Sequence, residues 1–369
     1  MNNNPTRCLV FTGGHHTSAL ALAQKLQSDG WRIFWIGHKF SQWQDKSVSA
    51  EFREVRAADI DFYDLKAGKI YHTYHPLKLF RLPVGFISAF IYLLRLKIKY
   101  RTGLKGIVTF GGYLGVPVVF SGWLLGIPVI AHEQTVTAGW ANRFIALFAK
   151  KIALTWSQSQ NHYPRRKSVV TGLPIRPEII KNLKSKNAGH IIPARIYITG
   201  GKQGSHVINL AVFSVLTELL RIYTVIHQTG SSSAFNDYQE AIRLQKLLPD
   251  NLKSSYQIYN YLDSSLVAGV LTEADVVVSR SGAHIIHELA LFGCKCVLIP
   301  IPWSSHDEQN KNARLLVQNH QAVILPQSQL TGSNLLQAIT SAKQLKPEAM
   351  HLNLNGMENM LQLIEQTFA

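Results

Sequence analysis

Acidic residues are scarce in this 369-residue chain. From residue 65 to residue 177 only one, Glu133, stands against sixteen lysines and arginines. The flanks do not share the bias: residues 1–64 hold seven basic and seven acidic groups, and residues 178–369 are nearly neutral. The formal charge of +16 is therefore concentrated in one half of the protein. Such a field suits nucleic acid, an anionic membrane surface or an anionic substrate. Cysteine is scarce too. Cys8, Cys294 and Cys296 are too few and too poorly spaced for a disulfide framework or a zinc site, and they read as small buried hydrophobes in a reducing cytosol. The first ten residues lack the apolar core of a secretory signal. No zinc-finger, RRM or helix-turn-helix frame organises the cations, so nucleic acid is the weakest of the three partners.

The cations are interleaved instead with large apolar side chains, most clearly from Leu79 to Arg101. An apolar block flanked by Lys and Arg suits a helix lying in a membrane interface, its apolar face sunk and its cations meeting anionic lipid. One charge-free run, Ile107 to Ala131, is long enough to span a bilayer. Gly111, Gly112, Gly115, Pro117, Gly122, Gly126 and Pro128 break it into a strand (Gly106 to Phe110), a turn, a helix (Val116 to Leu125), a turn and a strand (Val129 to His132). That is a buried βαβ unit, so the expected membrane contact is peripheral.

Short apolar runs alternate with amphipathic stretches along the chain. Arg7 to Thr12 and Arg32 to Ile36 read as strands around a helix from Ser18 to Asp29. The alternation restarts at Arg195 to Thr199 and continues through Val225 to His227, Tyr256 to Tyr259, Val276 to Ser279 and Cys296 to Ile299. This is the pattern of two doubly wound α/β domains. The hinge is expected at residues 172–177 or 182–189, where turn formers gather and the charge bias ends. Two such domains facing each other would bind ligand at the carboxyl ends of their sheets.

Three strand-to-helix turns carry chemistry. Thr12-Gly13-Gly14-His15 and Gly200-Gly201-Lys202-Gln203-Gly204 offer glycine backbones and a helix N-terminus to phosphate. Neither is a GxGxxG fingerprint or a P-loop, so NAD and ATP are not indicated. His15, at a strand end, can take a proton near neutral pH. The third turn, Arg280-Ser281-Gly282-Ala283, precedes a helix bearing Glu288, a carboxylate able to accept the hydroxyls of a ribose. Two phosphate-type turns and a ribose acid in one domain suggest a nucleotide diphosphate. Glu133 can be read as a base, as an acceptor for sugar hydroxyls, or as an internal counter-ion.

Residues Thr109 to Tyr113, Gly126 to Pro128, His132 to Gln134, Gly139, Asn142-Arg143, Gly200 to Gly204, Asn209, His227 to Gly230, Tyr261 to Asp263, Ala274-Asp275, Arg280 to Ala283, Glu288 and Gln309 to Ala313 occur in order over almost the whole chain. In this the sequence resembles the MurG family of N-acetylglucosaminyltransferases. The resemblance implies a GT-B fold: a Rossmann-like acceptor and membrane domain over residues 1–174, a Rossmann-like UDP-sugar domain over 175–346, and a C-terminal helix within 347–369 returning to the first domain. It implies inverting transfer of N-acetylglucosamine from UDP-GlcNAc, a substrate rather than a cofactor, to the 4-hydroxyl of lipid I at the cytoplasmic membrane face. No metal or other cofactor is implied.

By motif, His15 takes the place of the family's candidate base, beside Glu133, and Thr12, Gly13 and Gly14 complete its loop. Tyr113, Glu133 and Asn142 match the acceptor side. Arg176 matches the arginine after the inter-domain turn, near the donor. Lys202, Gln203 and Gly204 match the donor loop, Leu262 a backbone contact to uracil and Glu288 the ribose acid. Arg280, Ala283 and Gln309 match residues near the diphosphate and sugar. Four positions depart from the family: Phe11 stands for glycine, Thr135 for asparagine, Lys202 for serine and Ser205 for alanine. These changes leave a different lipid-linked acceptor open. UDP-GlcNAc 2-epimerases share the architecture, which leaves an isomerase as a further alternative.

Overall fold

The structure, a computed structural model, describes residues 7–14, 16–40, 48–65, 81–175, 179–180, 183, 194–232, 234–304, 307–350 and 352–369. Two compact units emerge. One comprises Met1–Arg176 with Asn353–Ala369, the other Pro177–Leu352. His15 and Arg176 lie outside the described residues, as do Leu79 and Phe80 and all but residue 183 of the 182–189 stretch.

In the first unit β1 (Cys8–Thr12), β2 (Arg32–Gly37), β3 (Asp61–Asp64), β4 (Leu104–Thr109), β5 (Val129–Glu133), β6 (Lys151–Leu154) and β7 (Ser168–Val170) form one parallel sheet in the order β3-β2-β1-β4-β5-β6-β7. Its central strands β1, β4 and β5 are largely apolar and buried because helices cover both faces. Helices α1 (His16–Ser28) and α2 (Ala50–Ala57) pack on one face. Helices α3 (Arg81–Tyr100), α4 (Gly112–Leu124) and α5 (Trp140–Phe148) pack on the other. The charge-free run from Ile107 is thus strand, helix and strand. Helix α4 starts at Gly112, four residues before the expected Val116, because Gly111 turns the chain at φ 74°. Among the described residues no helix is long and apolar enough to cross a membrane.

In the second unit β8 (Arg195–Thr199), β9 (Thr224–Gln228), β10 (Tyr256–Tyr259), β11 (Val276–Ser279), β12 (Cys296–Leu298) and β13 (Ala322–Ile324) form a parallel sheet ordered β10-β9-β8-β11-β12-β13. Helices α6 (His206–Ser214), α7 (Leu216–Leu220), α8 (Asp237–Leu247), α9 (Asp250–Lys253), α10 (Ser264–Glu273), α11 (Ala283–Phe292), α12 (Glu308–Gln318) and α13 (Gly332–Lys343) alternate with its strands. In each sheet the strand order reverses beside the first strand, between β1 and β4 and between β8 and β11. Those two points are where open α/β sheets take ligands.

The last helix, α14 (Gly356–Phe368), belongs to the first unit, nine residues later than the expected 347. Met357, Met360, Leu363, Ile364 and Phe368 are buried with Leu9, Leu22 and Leu26. Gly106 on β4 leaves the room for Phe368, whose ring would stand 2.3 Å from a Cβ there. Asn359 donates to Thr171 O at 2.9 Å and Lys150 to Thr367 O at 3.0 Å, so polar groups fix the ends of this contact.

Candidate functional site

In the first unit the carboxyl ends of β1, β4 and β5 bring two glycine turns together. Gly13 adopts φ 137°, and a Cβ on it would meet the Phe110 backbone at 2.7 Å, so the position excludes other residues. The Gly14 amide donates to Gly111 O at 3.0 Å. The Gly112 amide donates to Asn142 Oδ1 at 3.1 Å, which ties the second turn to the first turn of α5. Phe11, where the family resemblance implies glycine, is buried and stacks with Trp35 at 6.0 Å, on the core side of β1.

Beneath this pair lies Glu133, 2% exposed at the end of β5. Its Oε2 accepts from Asn142 Nδ2 at 2.7 Å and from the Tyr163 hydroxyl at 2.5 Å. Its Oε1 accepts from the Thr135 amide at 3.0 Å, and the Thr135 hydroxyl stands at 2.8 Å. Burial above all, and then the Glu133 carboxylate, push the Tyr163 phenol far above its ordinary value, so Tyr163 remains a donor. The internal counter-ion reading of Glu133 thus becomes something more specific. It holds Asn142, and through it the glycine turn. The departure at Thr135 supplies a hydroxyl to the same acid. Tyr113 meets the His38 ring at a tilt of 35°, with ring centroids 5.5 Å apart. Thr12 Oγ1 and both amide atoms of Gln134 are buried without a hydrogen-bond partner among the described residues.

In the second unit the turn after β8 is zipped to the turn after β9. Lys202 O accepts from the Ser231 amide at 3.0 Å, and Gly204 packs against Thr229 and Gly230. Gln228 joins three elements. Its Nε2 donates to Gly201 O at 3.0 Å, while its Oε1 accepts from the Tyr197 hydroxyl at 3.0 Å and from the Leu262 amide at 3.3 Å. The Leu262 amide is therefore engaged within the protein. Lys202 lies over the Tyr261 ring, 6.0 Å from its centroid. Gln203 O accepts from the Ser232 amide at 3.3 Å, and among the described residues no hydrogen bond holds the Gln203 side chain.

Arg280 is engaged within the protein. It donates to Ile299 O at 2.9 Å, Ser205 Oγ at 2.8 Å and Gln327 Oε1 at 2.8 Å, and burial lowers its pKa to about 10. The serine that departs from the family at position 205 is thus an acceptor for this arginine. Ala283 opens α11 behind Gly282, presenting the helix N-terminus at the switch point. Glu288, five residues on, has its side chain 9% exposed and meets His284 Nε2 at 3.0 Å. Gln309 accepts from the Ile301 amide at 3.0 Å and so closes the turn after β12.

The structure thus assembles Thr12, Gly13, Gly14, Tyr113, Glu133 and Asn142 in one unit, and Lys202, Gly204, Leu262, Arg280, Ala283, Glu288 and Gln309 in the other. Sequence reasoning missed Tyr163, Gln228 and His284 as partners. His284 had a signal, since it lies four residues before Glu288 on one helix. Tyr163 had none, because only β6 and β7 bring it back to β5.

The pattern of the glycosyltransferase family 28 N-terminal domain matches residues 11–154, and that of the family 28 C-terminal domain matches residues 195–365. The chain belongs to glycosyltransferase family 28. Curated relatives match it over nearly its whole length. A Bacillus cereus protein named UDP-N-acetylglucosamine–N-acetylmuramyl-(pentapeptide) pyrophosphoryl-undecaprenol N-acetylglucosamine transferase 2 is 30% identical over 349 residues, 91% of each chain. A Blochmanniella floridana transferase of the same name, without the number, is 30% identical over 96% of this chain and 94% of its own. Among solved structures, Acinetobacter baumannii MurG superposes with a TM-score of 0.70 at 24% identity, over 98% of this chain and 99% of that one. A Neisseria meningitidis UDP-GlcNAc 2-epimerase gives 0.63 at 12% identity, over 98% and 100%. At these identities both support the GT-B fold alone.

Proposed function

We propose that this family 28 glycosyltransferase moves N-acetylglucosamine from UDP-GlcNAc to the 4-hydroxyl of a muramoyl unit on a polyprenyl diphosphate, converting lipid I to lipid II and releasing UDP. The observation that carries the reading is the pairing, in one chain, of a glycine turn braced by a buried acid with a phosphate-type turn followed by a helix N-terminus and a carboxylate. The names of the relatives supply the substrates. In the step itself the acceptor oxygen bonds to C1 of the sugar from the face opposite UDP. The C1–O bond to the diphosphate breaks with its electron pair going to UDP, and the hydroxyl proton passes to a base. Because protein donors already engage both oxygens of Glu133, we assign the base to His15 and the orienting role to Glu133.

His15→Ala is expected to lower turnover by about two to four orders of magnitude. Near-normal turnover in that variant would move the base to Glu133. Glu288→Ala is expected to weaken UDP binding about tenfold, since a ribose would lose a charged acceptor worth about 1.5 kcal/mol or more. Calorimetric titration with UDP checks this, and unchanged affinity would remove the ribose assignment.

Membrane contact belongs to the same proposal. On α3, Val84, Ile87, Ile91 and Ile98 are 45%, 58%, 40% and 66% exposed and fall at i, i+3, i+7 and i+14, one helical face opposite the buried Ala89, Leu93 and Leu96. Arg95, Lys97 and Lys99 accompany them. This stripe supports peripheral docking on anionic lipid at the cytoplasmic face, with no role for nucleic acid. The experiment that tests the whole reading is release of UDP from UDP-GlcNAc with and without a lipid I analogue in anionic vesicles. Acceptor-dependent release supports it. Release or rearrangement of the donor without acceptor would favour an isomerase.

A further inference from the structure

The first unit carries a pocket of about 470 Å³ between α5 and residues 161–167. Its polar lining is Arg143, Asn161, His162 and Lys167, over an apolar floor of Ala146, Leu147 and Pro164. We infer that this pocket binds the phosphate of an anionic phospholipid headgroup. The inference rests on the peripheral-membrane reading and adds to it a discrete site away from the α3 stripe.

Charge makes the first argument. Glu133 is the one acid between residues 65 and 177, and Thr135, Asn142 and Tyr163 engage it; among the described residues no ion pair joins a carboxylate to Arg143, His162 or Lys167. Arg143 offers the planar fork that fits phosphate oxygens two at a time. It is exposed, with its guanidinium 5.9 Å from the Trp140 ring centroid. Lys167 donates to Ala146 O at 3.1 Å and Leu147 O at 3.0 Å. Those carbonyls at the end of α5 would otherwise repel an anion, and the ammonium both satisfies them and keeps a third proton.

The rim makes the second argument and selects the source of the phosphate. Leu147 and Trp140 are 68% and 73% exposed on the same helix, and neighbouring α4 ends in Trp123 and Leu124, 51% and 54% exposed. Phe144, Phe148 and Trp123 form an aromatic seam between α4 and α5, with centroids 5.0 Å apart in successive pairs. A free phosphate would use the cations alone. A phospholipid uses both, its phosphate in the pocket and its chains along the apolar rim.

The test measures binding of the full-length protein to phosphatidylcholine vesicles doped with phosphatidylglycerol, and to vesicles given the same charge by oleate. The parent is expected to prefer the phosphatidylglycerol surface by about tenfold, near what one or two well-placed cations contribute at a membrane. Arg143→Gln/His162→Gln, which leaves the Lys167 cap intact, is expected to lose that preference. Arg95→Gln/Lys99→Gln on α3 should weaken both surfaces alike. Loss of affinity for both surfaces to the same degree in the pocket variant would reduce the site to general charge and overturn the inference. So would a parent with no preference. Competition by soluble glycerol phosphate as strong as that by vesicles would make the ligand a free phosphate and overturn the lipid assignment. A parent that binds neither vesicle refutes the membrane reading itself. Thermal unfolding of each variant confirms the fold.

Discussion

Glu133→Gln is expected to lower the unfolding temperature by roughly 6–12 °C and turnover by at least about a hundredfold. The side chains match in shape, so the effect is polar rather than one of packing. Glutamate presents two acceptors to the Thr135 amide, Asn142 Nδ2 and the Tyr163 hydroxyl. Glutamine turns one of those oxygens into an amine that faces donors. If the amine faces Asn142, the asparagine must flip, and its own amine then meets the Gly112 amide that Oδ1 now accepts at 3.1 Å. If it faces Thr135, the backbone amide there is left without an acceptor. Either way a buried donor goes unsatisfied, at about 1–3 kcal/mol each. For a unit of this size about 3 kcal/mol corresponds to the stated fall, at roughly 2–4 °C per kcal/mol. The turnover loss follows from the same flip, since a misplacement of about 1 Å near the reacting groups costs on the order of a hundredfold. Tyr163→Phe removes one donor and leaves the Asn142–Gly112 link, so it should cost only about 1 kcal/mol. Thermal unfolding and steady-state turnover of the two variants decide the matter. A Glu133→Gln protein with parental stability and activity would show that the acid does not organise the turn.

Much of this arrangement is legible in the sequence, for particular reasons. Both strand-helix alternations are readable because parallel strands buried on two faces are continuous apolar runs, as in Val276 to Ser279. The glycine turns announce themselves by position after a strand. Glu133 stands out because nothing else in its region is acidic. What the sequence hides is which partner a polar group takes. The family resemblance puts Arg280 near the diphosphate, yet its protons go to Ile299 O, Ser205 and Gln327, whose places around it depend on β8 and β12 flanking β11 and on β13 following β12 in the sheet. Tyr163 reads as an ordinary aromatic and becomes a ligand of Glu133 only through sheet order. The first residue of α4 depends on a left-handed glycine, and two adjacent glycines do not say which of them ends the turn.

Gly204→Ala is expected to abolish most of the donor affinity, while Gly201→Ala barely changes it. The two residues share a loop and almost a conformation, at φ 82° and φ 87°. Strain for an L-residue in that region, about 1–2 kcal/mol, is therefore common to both. They differ in what a Cβ would meet. At Gly201 nothing lies within 4 Å, whereas at Gly204 the Thr229 carbonyl oxygen would be 2.0 Å away and Gly230 Cα 2.9 Å away. Thr229 cannot retreat cheaply. Its amide donates to Tyr259 O at 2.9 Å, and its carbonyl accepts from Asn209 Nδ2 at 2.9 Å. Asn209 is in turn held by Asp237 at 2.7 Å and by His227 at 3.0 Å. Burial lowers the His227 pKa to about 3, so its ring is neutral and the network is set. The loop must move instead, which separates Lys202 and Gln203 from Ser231 and Ser232 and costs about 3 kcal/mol. UDP affinity should fall at least tenfold in Gly204→Ala and by less than threefold in Gly201→Ala, with uridine as the control for base and ribose contacts. Loss of stability without loss of UDP affinity would separate this loop from the donor, and the phosphate site would then have to be sought at Ala283 alone.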